Sequence, residues 1–177
     1  MSIREATPAD VPAMLEIYAY FFEHTAVSFE YETPTREEFL RRLDEHTRQF
    51  PWLVWQEDRK VLGYVYAGAP FERAAYRWCA EISCYLAPEA RGRGVGRQLY
   101  ARTEEILRAQ GYRTVYAVVT SANAPSMAFH KALGYHEFAK FAACGFKNGA
   151  WYDVSWLEKR LQPDGAPERF PISWREL

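Results

Sequence analysis

Most features that assign a chain to a class at sight are scarce in these 177 residues. There are three cysteines, Cys79, Cys84 and Cys144, odd in number and without a CxxC pair. That pattern offers neither a disulfide framework nor a zinc site and fits reduced structural thiols in a cytoplasmic protein. The formal net charge is −1, too small for a broad surface that binds nucleic acid or an anionic membrane. No apolar run approaches the roughly 20 residues of a membrane span. The first ten residues, MSIREATPAD, carry charges where a signal peptide needs an apolar core. Neither GxGxxG nor GxxxxGK[ST] occurs, which excludes the usual dinucleotide and nucleotide-phosphate loops. Internal repeats and linkers are also missing, so the length reads as one domain over 1–160 and a tail over 161–177.

What is present is ordinary in bulk and specific in pattern. Aromatic residues at 16% are enough both to fill a core and to line a pocket. A first strand begins at Ile3. Thr7-Pro8-Ala9-Asp10 reads as a helix start, and Val11, Met14, Leu15, Tyr18 and Phe22 follow at helical spacing to about His24. Residues 25–34 read as a loop, and Thr33 or Thr35 caps a helix over 36–48 that Pro51 stops. Two β-rich runs, 52–55 and 61–67, flank the charged turn 57–60 as a hairpin. After the loop 68–77 comes a strand from Glu81 to Leu86, then a glycine turn, then a helix with Val95, Leu99, Thr103, Ile106, Leu107 and Gln110 on one stripe. The apolar run 114–119 is a strand covered on both faces. A short helix over 126–133 and two strands, 135–142 and 151–157, complete the order. The tail is expected to lie at the surface, poorly ordered on its own.

The glycine turn is the most informative stretch. Arg91, Gly92, Arg93, Gly94, Val95 and Gly96 bridge a strand and a helix, with Arg97 following. Glycines leave backbone N–H groups uncovered, and a helix N-terminus adds unpaired donors and partial positive charge. With three arginines this makes an anion cradle of pyrophosphate size; the plainer alternative is a turn with solvated arginines.

In this order of elements, Arg91-Gly92-Arg93-Gly94-Val95-Gly96, Asn123-Ala124-Pro125-Ser126 and Ala128-Phe129-His130-Lys131-Ala132-Leu133-Gly134-Tyr135 resemble the motifs of the Gcn5-related N-acetyltransferase (GNAT) family. His130 stands where that family usually has Tyr. Tyr31 to Pro34, Pro51 to Val54, Tyr66 to Gly68, Ala75 to Trp78 and Gly145 to Val154 are similar to the phosphinothricin / methionine sulfoximine N-acetyltransferase branch, in which a His at this position is typical. The resemblance implies an α/β fold, a mixed, mostly antiparallel central sheet flanked by helices. It also implies acetyl-CoA as co-substrate, no metal, a small-molecule amine as acceptor and a homodimer, with the last strands and the tail (Phe170, Trp174) as the candidate interface.

Acetyl transfer to an amine needs the CoA pyrophosphate held, the thioester polarised, the amine deprotonated and the thiolate accommodated. The cradle 91–97 answers the first need. By resemblance the backbone near Tyr85 and Leu86 pairs with the pantetheine arm, and Asn123 and Ser126 contact it, although Asn123 also suits a plain helix cap. Alternation puts Glu81 on one strand face with Ser83 and Tyr85. Desolvation there would raise its pKa toward that of a general base; a solvated strand-end Glu is the alternative. By resemblance His130 sits near the thioester sulfur as proton donor or second base, against a structural role in an apolar setting. Arg77, and after it Arg73, offers a guanidinium clamp for the acceptor carboxylate, with Phe29, Tyr31 and Trp78 as walls; surface arginines beside core rings are the alternative. The function implied is N-acetylation of a small amino-acid analogue by direct attack. Other amines (polyamine, aminoglycoside, protein N-terminus) and a silent acetyl-CoA-binding module are the rivals.

Overall fold

The apolar periods place seven strands and four helices in the computed structural model, which describes residues 1–177 with the side chain of His24 excepted. In chain order they are β1 (Ser2–Glu5), α1 (Val11–His24), α2 (Arg36–Thr47), β2 (Trp52–Glu57), β3 (Lys60–Gly68), β4 (Cys79–Leu86), α3 (Val95–Gln110), β5 (Thr114–Thr120), α4 (Ala124–Ala132), β6 (His136–Lys147) and β7 (Ala150–Arg160). They form one sheet in the order β1-β2-β3-β4-β5-β7-β6. Every neighbouring pair is antiparallel except β4 with β5. This is the mixed, mostly antiparallel sheet with helices on its faces that the sequence implies.

Register decides which side chains meet. Tyr64, Tyr66 and Gly68 of β3 stand opposite Tyr85, Ser83 and Glu81 of β4, so these six positions share one face. That face packs under α1 and α2, where Val11, Met14, Phe39, Leu43, Trp52 and Tyr64 are buried together. The other face carries Val65, Ala67 and Ile82 against Val95, Leu99 and Leu107 of α3. The α3 stripe anticipated from the sequence is all buried.

The sheet is split at its centre. β4 pairs with β5 only over Cys79–Glu81 against Thr114–Tyr116. Beyond Glu81, β4 runs on to Leu86 beside β3 alone, and β5 runs on to Thr120 beside β7 alone. Backbone donors and acceptors along the inner edge of β4 therefore lack a strand partner.

Beyond shifts of a few residues at several ends, two features differ from the sequence reading. β6 continues to Lys147 because two register shifts let it bend without losing β7, and only Asn148 and Gly149 remain for the turn, both with positive φ (51° and 76°). An Asn-Gly pair suits a tight hairpin for that reason. The tail is also not loose. Ile172 donates its N–H to Gln110 O at 3.0 Å, Trp174 Nε1 donates to Thr47 O at 2.9 Å, and Ser173 Oγ donates to Arg48 O at 2.7 Å. These bonds satisfy carbonyls at the ends of α2 and α3 that the helices leave over.

Candidate active site

The glycine turn and α3 form one wall of a cavity of about 420 Å³. Gly92 (φ 70°) and Gly94 (φ 77°) take the left-handed conformation the turn requires, and Gly94 caps α3. Leu86, Arg91, Gly92, Gly94, Val95, Gly96 and Arg97 line the cavity from one side, and Asn123, Ser126 and His130 line it from α4. The first N–H groups of α3 face no helical carbonyl. Arg91 donates to Leu86 O at 3.2 Å and lies over the Tyr20 and Phe21 rings, so its guanidinium is fixed at the rim. Arg93 is not brought in. It turns back onto the Glu57 carboxylate (2.9 and 3.0 Å) and Glu89 O, because the β2–β3 hairpin ends beside the turn. Tyr85 does not line the cavity, and its ring stacks with Tyr64 on the opposite face. Asn123 Oδ1 accepts from Ser126 N–H as the cap of α4, which leaves its amide N–H groups for another partner.

His130 is buried, and both ring nitrogens are used. Nδ1 lies 2.8 Å from Ser126 O; a carbonyl oxygen only accepts, so Nδ1 carries the proton. Nε2 therefore accepts from the Tyr100 hydroxyl at 2.8 Å. Burial pushes the imidazole pKa down, which keeps the ring neutral. His130, anticipated as proton donor or second base, is held in a Tyr100–His130 pair. Sequence reasoning passed over Tyr100 because its place beside Leu99 reads as core, and it is core by burial. Its hydroxyl nevertheless belongs to a residue lining the cavity. Cys84 lines the same cavity, but burial pushes its thiol up to about 12, an inert value.

Glu81 lies on the far face, in a second cavity of about 460 Å³ with Ser83, Tyr18, Trp52, Tyr64, Tyr66 and His46. Burial pushes its pKa up, and it has no hydrogen-bond or ion-pair partner among the described residues. The other acids of this wall are neutralised: Glu30 by Arg42 (2.7 Å) and the Tyr18 hydroxyl (2.5 Å), and Glu45 by Arg41 (2.6 Å). Glu81 is also the last β4 residue paired with β5, so it marks the point where the two strands part between the cavities.

The anticipated acceptor wall is not assembled around Glu81. Arg73 and Arg77 line a third cavity of about 350 Å³, which meets the Glu81 cavity only at Ala69. Arg77 lies over the Phe170 ring, which also stacks on Trp78; the returning tail draws both residues away. Phe29 packs on Gly145, where a Cβ would meet its ring at 2.3 Å. The Tyr31 hydroxyl donates to Phe146 O. The guanidinium groups at the Glu81 cavity are those of Arg41 and Arg42 of α2, which sequence reasoning did not single out.

With this geometry in place, comparison with known proteins is specific. Residues 3–156 match the family model described as an acetyltransferase (GNAT) domain. The chain is similar to phosphinothricin N-acetyltransferase of Streptomyces viridochromogenes (34% identity, 94% of this chain and 91% of that one). It is similar to L-methionine sulfoximine/L-methionine sulfone acetyltransferase of Salmonella typhimurium (32% identity, 95% and 99%). Among solved structures, a GNAT superfamily phosphinothricin acetyltransferase from Sinorhizobium meliloti in complex with AcCoA superposes with a TM-score of 0.87 (33% identity, 94% and 95%). No helix among the described residues is long and apolar enough to cross a membrane.

Proposed function

The chain belongs to the GNAT acetyltransferase family, and from that premise we propose that it transfers acetyl from acetyl-CoA to the α-amino group of a small amino-acid analogue of the phosphinothricin or methionine sulfoximine kind. One observation carries the reading: an unpaired, burial-raised carboxylate, Glu81, at the parting of β4 and β5. Raising its pKa makes the carboxylate a stronger acceptor for a proton from an ammonium group. The cavity on the α3 side suits the thioester's carrier: the N-terminus of α3 and the Arg91 fork for pyrophosphate, and the unpaired edge of β4 and the Asn123 amide for the amide-containing arm. When bound, acetyl-CoA supplies an activated acyl group and a thiolate leaving group. The amine enters from the α1/α2 face and the sulfur leaves toward the α3/α4 face.

The test is thiol release from acetyl-CoA against phosphinothricin, methionine sulfoximine, methionine sulfone, spermidine, kanamycin and a short peptide. Turnover confined to the first three is the expected result. Turnover of spermidine, kanamycin or the peptide alone would remove the α-amino assignment and leave the acetyltransferase.

Tyr100 is the donor on the leaving side, and His130 is its positioning residue. The hydroxyl held at 2.8 Å from His130 Nε2 swings onto sulfur as negative charge develops there. Tyr100→Phe should lower kcat about 10- to 100-fold with the acetyl-CoA dissociation constant unchanged. An unchanged kcat would reduce the pair to packing.

The homodimer finds support in β6, an edge strand with Phe138 and Phe141 half exposed, continued by Trp151 on β7. Sedimentation should give twice the chain mass for the wild type and the single mass for Phe141→Glu; a wild-type monomer at micromolar concentration would refute it.

A further inference from the structure

Amide formation from an ammonium group releases two protons from one nitrogen. The first frees the lone pair that attacks the thioester carbonyl carbon. The second leaves as the N–C bond forms, while the C–S bond breaks with its electron pair to sulfur. The thiolate takes up one proton and the other passes to solvent. One carboxylate holds one proton at a time, so the acceptor cavity has use for a second base.

Among its imidazoles and carboxylates, the Glu81 cavity offers one other unsatisfied group. His46 Nδ1 lies 3.0 Å from Ala67 O, and because a carbonyl only accepts, Nδ1 is protonated and in the neutral ring Nε2 bears the lone pair. Nε2 has no hydrogen-bond partner among the described residues. The ring stands edge-on to Trp52 and Tyr66 at 5.5 and 5.4 Å between centroids, which fixes its plane. Gly68 fixes its place. A Cβ on Gly68 would meet His46 Cε1 at 3.0 Å and Nδ1 at 3.3 Å, so the imidazole occupies the space a side chain would take. Gly68 is the cross-strand partner of Glu81, and paired positions present their side chains on one face about 5 Å apart. A glycine there seats the His46 ring beside Glu81.

The groups around this pair leave it to act alone. From α2, Arg41 is held by Glu38 and Glu45, and Arg42 by Glu38 and Glu30. From α1, Tyr18 donates to Glu30. From β3, burial pushes the Tyr64 and Tyr66 phenols up, so they remain protonated. We infer that His46 Nε2 is the second proton acceptor of the reaction, receiving from the acceptor nitrogen the proton that Glu81 does not take. This rests on the acetyl-transfer reading above.

The experiment compares His46→Asn and Glu81→Gln with the wild type across pH, with acetyl-CoA binding measured beside each. Asn keeps a donor where Nδ1 stood and removes Nε2. The expected result for His46→Asn is a loss of about tenfold or more in kcat/KM with one ionisation gone from its pH profile and acetyl-CoA bound as tightly as before. A rate within about twofold of wild type with the same profile overturns the inference. If Glu81→Gln loses its rate and His46→Asn does not, only the His46 assignment falls; if Glu81→Gln keeps its rate, the parent reading falls with it. Should His46→Asn fail to bind acetyl-CoA, Glu81→Gln decides by itself. Its residual rate should still fall on acidification, and a residual rate independent of pH overturns the assignment.

Discussion

Glu81→Gln should lose about 100- to 1,000-fold in kcat/KM at neutral pH, with acetyl-CoA binding unchanged. Gln preserves shape and removes only the proton acceptor. The same substitution should stabilise the fold at alkaline pH, because it ends the burial of an unpaired charge. The sign follows from the direction of the shift. The folded-state pKa lies above the ordinary 4.5, so the folded chain holds the Glu81 proton more tightly than the unfolded chain. Wild-type stability from this group is complete below about pH 4.5 and falls as pH rises through the folded value. Thermal melts of the two proteins should therefore coincide near pH 4 and separate near pH 8, with Glu81→Gln melting higher. Coincident melts at both values would mean that Glu81 is solvated and is no base of this kind.

Removing residues 170–177 should cost about 3–5 kcal/mol, several net hydrogen bonds at roughly 1 kcal/mol each plus lost packing, and lower Tm by about 10 °C. The segment is tied at many points. Thr47 O accepts from both Trp174 Nε1 (2.9 Å) and Arg175 Nε (3.0 Å), Gln110 Nε2 donates to Ile172 O (2.8 Å), and Arg175 pairs with Glu5 (2.7 Å). Gln110 is fully buried and its Oε1 already lacks a partner, so losing Ile172 would leave a second polar group short inside the core. The deletion would also free Arg77 and Trp78 from Phe170. A truncated chain melting within 2 °C of the full chain would make the tail a bystander.

The sequence by itself determined the elements, their order and the glycine turn that opens α3, because those signals are local. Gly92 and Gly94 stand where a turn needs left-handed backbone, Val95 to Gln110 repeats with helical period, and Glu81 alternates with Ser83 and Tyr85, all within a few residues of chain. The tertiary structure alone decided what those side chains face. Arg93 was lost to Glu57, 36 residues away, and Arg77 to Phe170 in a tail that returns to cap α2. Tyr100 became a partner of His130 across 30 residues. His46 came to lie beside Glu81 only through the register of β3 on β4, which sets a glycine opposite the carboxylate and leaves room for a ring from α2. Backbone pattern travels along the chain; the partner of a long charged or aromatic side chain is chosen by whichever distant segment packs against it.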